Sequence, residues 1–167
     1  MPRRLVLAFL AAFALAAQDT VAVLIHHAEK GARTSNAQLS SRGLRRAEDL
    51  AVELAPFKPA AIFATDLWRT QQTVAPLARR LGLVPEIRAR GEEAAVGREV
   101  LEDYRGRTVV LCGHSDTLAV LAGALGYRGF FPEIRAYDRI WILTVPEGPG
   151  PVRLEERGQR PSLTKGP

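Results

Sequence analysis

The sequence contains one cysteine, Cys112, in 167 residues. A single thiol forms no internal disulfide, so the fold must rest on its hydrophobic core. Cys112 ends an apolar run and reads as a small buried hydrophobe. No apolar run reaches the roughly 20 residues that a membrane-spanning helix needs. Neither sign of charge dominates, because the formal net charge is +5 and two of the positive charges are Arg3 and Arg4. That excess suits a small anionic substrate and is too mild and dispersed to imply nucleic acid. Internal repeats and coiled-coil heptads are absent. Histidine is also scarce, with three in the chain, and the positions of those three matter most. What remains, 47% apolar and 25% charged residues, is the composition of an ordinary globular protein of one domain.

The N-terminus has the pattern of an export signal. Arg3 and Arg4 form a charged start, Leu5 to Leu15 hold no polar residue, and Ala14-Leu15-Ala16 is a small-residue cleavage site. The expectation is a signal peptide over residues 1–16, a domain over 17–157 and a loose Gly/Pro-rich tail over 158–167. The protein is then exported, periplasmic or secreted. No cysteine near the cleavage site offers a lipid anchor, so no stable membrane insertion is expected once the signal is removed.

Val21 to Ile25 reads as a buried strand of β-branched and apolar residues that runs straight into His26, His27, Ala28 and Glu29. A first helix is expected from Ser40 or Ser41, with Leu44, Ala47, Leu50, Ala51 and Leu54 at helical spacing and Pro56 as its stop. Ala60–Ala64 follows as a strand, with Asp66 as the expected cap of a helix that ends near Gly82. Val84–Ala89 is a third strand, Glu92–Tyr104 a helix and Arg107–Cys112 a fourth strand. The helix Thr117–Leu125 is apolar all round and so is expected to be buried. Arg139–Val145 and, after a Pro/Gly turn, Val152–Glu155 complete the pattern as an antiparallel pair. Strand alternating with helix predicts an α/β three-layer sandwich. Its mostly parallel sheet has helices on both faces and an antiparallel C-terminal edge strand.

In such a sheet ligands bind at the carboxyl ends of the strands. His26 and His27 follow the first strand, Arg69 lies just after the second, and Gly113-His114-Ser115-Asp116 follows the fourth. An imidazole can attack phosphorus and later leave, which splits one difficult displacement into two easier ones. A guanidinium offers a planar, always-charged fork for the equatorial oxygens. A metal site built from His26, His27, His114 and Asp116 is the competing chemistry. It is disfavoured because adjacent strand residues point to opposite faces. No cofactor and no metal are expected.

Four segments in this order carry a resemblance: His26-His27-Ala28-Glu29, Leu39-Ser40-Ser41-Arg42-Gly43, Thr65 to Thr73 with Arg69, Gln72 and Thr73, and Gly113-His114. Together the sequence resembles the histidine phosphatase superfamily, the phosphoglycerate-mutase-like fold, over roughly residues 21–145. The resemblance implies a phosphomonoesterase in which His27 is the nucleophile that carries a phosphohistidine. It also implies that Arg69 and His114 bind the phosphate. The implied partner is a small phosphorylated substrate or a phosphoprotein.

One position departs from the family pattern, because His26 stands where the family has arginine. An imidazole there removes a permanent charge from a substrate-binding position, which predicts low turnover at neutral pH and a rise on acidification. The same departure supports an alternative reading, a catalytically weakened relative that binds a phosphorylated ligand without turnover. The general acid is open, with Glu92, Glu93 and Asp116 as candidates. All three are also what a helix start favours.

Overall fold

The computed structural model describes residues 18–160, so the expected signal peptide lies outside the described residues. Six strands form one sheet: β1 (Thr20–His26), β2 (Ala61–Thr65), β3 (Glu86–Arg88), β4 (Thr108–Gly113), β5 (Arg139–Val145) and β6 (Arg153–Gly158). Their order across the sheet is β3-β2-β4-β1-β5-β6. The first four positions are parallel, and β5 and β6 run antiparallel beyond β1. The helices are α1 (Ser41–Leu54), α2 (Trp68–Leu81), α3 (Glu93–Asp103) and α4 (Thr117–Ala124), with a 3₁₀ turn over Ala55–Phe57.

The two faces of the sheet can be read from alternate residues of the central strands. Val23 and Ile25 of β1, with Val110 and Cys112 of β4, pack under α1 and α2 against Leu50, Leu54, Val74 and Leu77. Ala22 and Leu24, with Val109 and Leu111, pack on the other side against Val96 and Val100 of α3 and Leu118 and Leu121 of α4. A strand covered on both faces has no polar alternation, which is why Val21 to Ile25 is an unbroken apolar run. Cys112 is a free, buried thiol, as its setting in the sequence implies.

Several local expectations change. Asp66 does not cap α2: Leu67 holds the cap position in extended conformation, and the Trp68 N–H donates instead to Asn36 Oδ1 from the loop after β1. A distant side chain has replaced the local cap. β3 shortens to three residues at the sheet edge, where Val84 is left in solvent. α4 is not buried all round. It packs with Thr117, Leu118, Leu121 and Ala122, and Val120 on its outer face is half exposed, since no described layer lies beyond it. Residues 158–160, read from sequence as the start of a loose tail, are tied to the domain. The Gln159 N–H donates to the Asp138 carbonyl and the Arg160 N–H to Glu53.

The topology determines where a ligand can sit. From β1 the chain moves to β2 and β3 on one side, returns to place β4 between β2 and β1, then crosses to β5. The register pairs His26 with Gly113 and Thr65 with Arg88, so β1, β4, β2 and β3 all end at one edge. That edge is the crevice where a doubly covered parallel sheet binds its ligands.

Candidate active site

His26 is the last residue of β1, and His27 lies just beyond it. Strand alternation therefore stops between them, and their rings come together with centroids 4.1 Å apart. The expectation that these neighbours face opposite ways is overturned by the end of the strand. His114 follows β4 and its ring lies 5.2 Å from that of His27. Arg69, in the first turn of α2, reaches the same place with Nη2 3.4 Å from His114 Nδ1. All four side chains are buried. The structure thus brings His26, His27, Arg69 and His114 into one pocket. Among the described residues no group of His, Cys, Asp or Glu is arranged to hold a metal ion.

Hydrogen bonds assign the protons. His27 Nδ1 lies 2.7 Å from the Ala28 carbonyl, which only accepts, so Nδ1 carries the hydrogen and Nε2 keeps its lone pair. By the same argument His26 donates from Nδ1 to the His27 carbonyl at 2.9 Å, and its Nε2 accepts from Ser115 Oγ at 3.3 Å. His114 accepts from Arg69 at Nδ1, so its Nε2–H donates to Thr65 Oγ1 at 2.9 Å, and the chain continues to Thr70. Burial, followed by the neighbouring His26, pushes the pKa of His27 down to about 3. Burial, followed by Arg69, brings His114 to about 4. His26 is lowered too, chiefly by burial. All three rings are neutral at neutral pH.

Arg69 is 8% exposed. Its Nη1 donates to the Ser35 carbonyl at 2.7 Å, but the Nε–H is buried with no partner among the described residues. A buried orphan donor is costly and calls for an explanation. Burial and then the Arg90 guanidinium lower its pKa below the ordinary arginine value. It nevertheless remains charged at any working pH.

The remaining motif residues hold the loop that carries His27. Glu29 is gripped by two arginines of α1, with Arg46 donating at 2.8 and 2.9 Å and Arg42 pairing at 3.0 Å. Burial alone would raise its pKa, but the bonds from Arg46 outweigh it and hold the carboxyl below the ordinary glutamate value. Ser40 caps α1 by accepting from the Gly43 N–H, and its own N–H and hydroxyl both donate to the Glu29 carbonyl. A Cβ on Gly43 would stand 2.2 Å from that carbonyl oxygen, so glycine alone lets α1 come this close. Thr73 accepts the Ala28 N–H, and Gln72 accepts the Leu39 N–H.

The three acid candidates sit at helix starts. Glu92 accepts from the Ala89 N–H and Glu93 from the Gly91 N–H, both within the loop before α3. Asp116 occupies the cap position of α4 and is paired with Arg90. Sequence reasoning missed two residues here. Tyr137 places its ring 5.3 Å from His26 and 5.7 Å from His27, and Arg90 reaches Asp116 from the loop after β3. Neither lies in a motif, and each is brought in only by the folding of a loop.

Residues 22–98 match the model of the histidine phosphatase superfamily (branch 1), a segment that includes His26, His27 and Arg69 and ends before His114. No curated protein matches the chain. Among solved structures, a mycobacterial hydrolase superposes with a TM-score of 0.66 at 17% identity, covering 87% of this chain and 94% of its own. A mycobacterial glucosyl-3-phosphoglycerate phosphatase gives 0.66 at 18%, covering 86% and 100%. The protein histidine phosphatase SixA, bound to tungstate, gives 0.65 at 16%, covering 83% and 97%. Residues 22–98 therefore carry the sequence signature of the histidine phosphatase superfamily, on a fold this chain shares with solved hydrolases and phosphatases.

Proposed function

We propose that this chain is a histidine phosphatase, a phosphomonoesterase that works through a phosphohistidine on His27. The observation that carries the reading is the locked tautomer of His27. With Nδ1–H bonded to the Ala28 carbonyl, the Nε2 lone pair is the free end of a ring that lies beside His114, which Arg69 contacts. With its pKa near 3, the ring stays unprotonated and nucleophilic through neutral and mildly acidic pH. Nε2 attacks phosphorus, a P–N bond forms, the ester P–O bond breaks, and the leaving oxygen departs as the anion and takes its proton from solvent water. Water then attacks the phosphohistidine, releasing orthophosphate and restoring His27.

Arg69 supplies the fixed positive charge that the equatorial oxygens require, and its orphaned Nε–H gains an acceptor when phosphate arrives. His114, whose Nε2–H is held by Thr65, becomes the second ligand in its protonated form, which a bound phosphate favours and whose Nδ1–H then donates to a phosphoryl oxygen. His26 contributes through Nε2 only when that atom leaves Ser115 and takes up a proton, so that Nε2–H donates to a phosphoryl oxygen. Glu92 and Glu93 are occupied by backbone donors, and Asp116 by Arg90. With Glu92 and Glu93 so committed, and Asp116 on Arg90 before substrate arrives, the pocket favours substrates whose leaving oxygen needs little help, such as aryl phosphates.

The test is turnover of an aryl phosphate by the purified protein, with alkaline detergent quenching to keep labelled enzyme intact for a later acid-lability check. The expected outcome is acid-labile phosphate on His27 and complete loss of both signals in His27→Ala. Turnover unchanged in His27→Ala refutes the mechanism. Phosphate binding without any turnover in the parent supports the weakened, ligand-binding reading instead.

A further inference from the structure

Arg69 is not the one guanidinium near the imidazoles, since Arg90 is close enough to lower the pKa of both Arg69 and His114. β3 ends at Arg88, paired in register with Thr65, the residue whose hydroxyl holds His114. Two residues on, the chain turns at Arg90 and Gly91, with Gly91 at φ +99°. The Arg90 side chain then reaches across to the carboxylate of Asp116. Asp116 follows Ser115, whose hydroxyl bonds His26, and lies two residues from His114. Arg90 is thus tied to the segment that carries His114 and Ser115.

We propose that Arg90 is a second phosphate-gripping arginine, which Asp116 holds at the rim of the empty pocket and which moves onto the substrate's phosphoryl oxygens. The inference rests on the phosphatase reading above and adds to it the residue that supplies the charge His26 lacks.

Three observations support it. The Arg90–Asp116 pair is roughly half in solvent on both sides, so it is a weak contact that a dianion can outcompete. Arg90 is also the charge that most depresses Arg69 and, after Arg69, His114. Two guanidiniums whose fields meet in one crevice repel each other, and an anion between them removes that repulsion. Finally, a guanidinium offers a bidentate grip on phosphate that the imidazole of His26 does not.

Asp116 acts on Arg90 alone in this scheme. It competes with phosphate for the guanidinium, so removing it should tighten binding. A structural latch between the β3–α3 loop and the start of α4 behaves differently, because breaking it from either end loosens the site. Inorganic phosphate, titrated calorimetrically into the purified protein at fixed salt, distinguishes the two. Arg90→Gln should weaken phosphate binding about tenfold or more, the range for one charged hydrogen bond. Asp116→Asn should tighten it, and in the Arg90→Gln background the Asp116→Asn change should lose that effect. Equal weakening by both single variants overturns the proposal in favour of a latch. Tightening by Asp116→Asn that persists without Arg90 overturns it in favour of a general field effect. A parent that binds no phosphate and turns over no aryl phosphate overturns the phosphatase reading itself. A parent that does both, with binding unchanged in Arg90→Gln, overturns only the role of Arg90.

Discussion

Three buried neutral imidazoles in contact make the protein sensitive to acid in a way that can be calculated. An unfolded histidine titrates near 6.5. In the folded protein burial brings His27 to about 3 and His114 to about 4. Between these values the unfolded chain binds more protons than the native one, so stability rises with pH across the window. The contribution is complete above about pH 6.5 and is lost as pH falls toward 4 for His114 and 3 for His27. From pH 7 to 5 each ring costs about 2 kcal/mol, so the pair removes about 4 kcal/mol. Against a total of about 5–15 kcal/mol for an ordinary domain, that is a large share. Urea unfolding at pH 7, 6 and 5 measures it, and a loss of that size moves the midpoint by about 2 M at a typical slope. The window stops above the carboxylate range, so the histidines dominate the change. His27→Asn and His114→Asn should each recover about half of the loss. A parent whose midpoint is flat from pH 7 to 5, or variants that keep the parent's slope, would refute the reasoning.

Two further outcomes follow from the same geometry. Gly43→Ala should destabilise by about 1–3 kcal/mol, the usual range for overpacking, because the new methyl meets the Glu29 carbonyl at 2.2 Å. Helix propensity alone predicts the opposite sign by about 1 kcal/mol, so a melting temperature that rises refutes the steric account. His26→Arg should raise turnover at neutral pH by about tenfold, the value of one charged hydrogen bond, and flatten any rise on acidification. Because burial lowers the pKa of His26, that rise in the parent should begin below pH 6.5. Superimposable pH–rate profiles of parent and variant would show that residue 26 does not touch phosphate.

The layered fold was legible because its cause is local. Ala22 to Ile25 and Val109 to Cys112 are buried on both faces, and that burial leaves an unbroken apolar run visible in the sequence. Arg139–Val145 matches β5 residue for residue, since β-branched and aromatic residues fill it between clear turn signals. Expectations failed where a distant partner decides the outcome. Asp66 had the chemistry of a cap, but Asn36, some thirty residues earlier, supplies the acceptor. Periodicity showed α4 as apolar but not which side the sheet would cover. The pairing of His26 with His27 was hidden because the rule of alternation holds only while the strand lasts, and β1 ends between them.

The motif residues divide into two kinds that the sequence presents alike. His27, Arg69 and His114 converge on one space, whereas Glu29, Ser40, Gly43, Gln72 and Thr73 bond to the backbone or neighbours that hold that space open. Glu29 shows the difference. As a carboxylate two residues from His27 it has the composition of an acid catalyst, but Arg46 and Arg42 hold it ionised and turned toward α1. Its function is mechanical: together with Ser40 and Gly43 it joins the end of β1 to the start of α1. A nucleophile has to be held within a fraction of an ångström of its attack position, and rigid neighbours provide that. Ser40 and Thr73 hold the backbone of residues 28 and 29, Arg46 and Arg42 the Glu29 carboxylate and Gln72 the Leu39 N–H, so under the proposed function few of these groups are left for phosphate. That scarcity is why a guanidinium at the rim, such as Arg90, has room to matter.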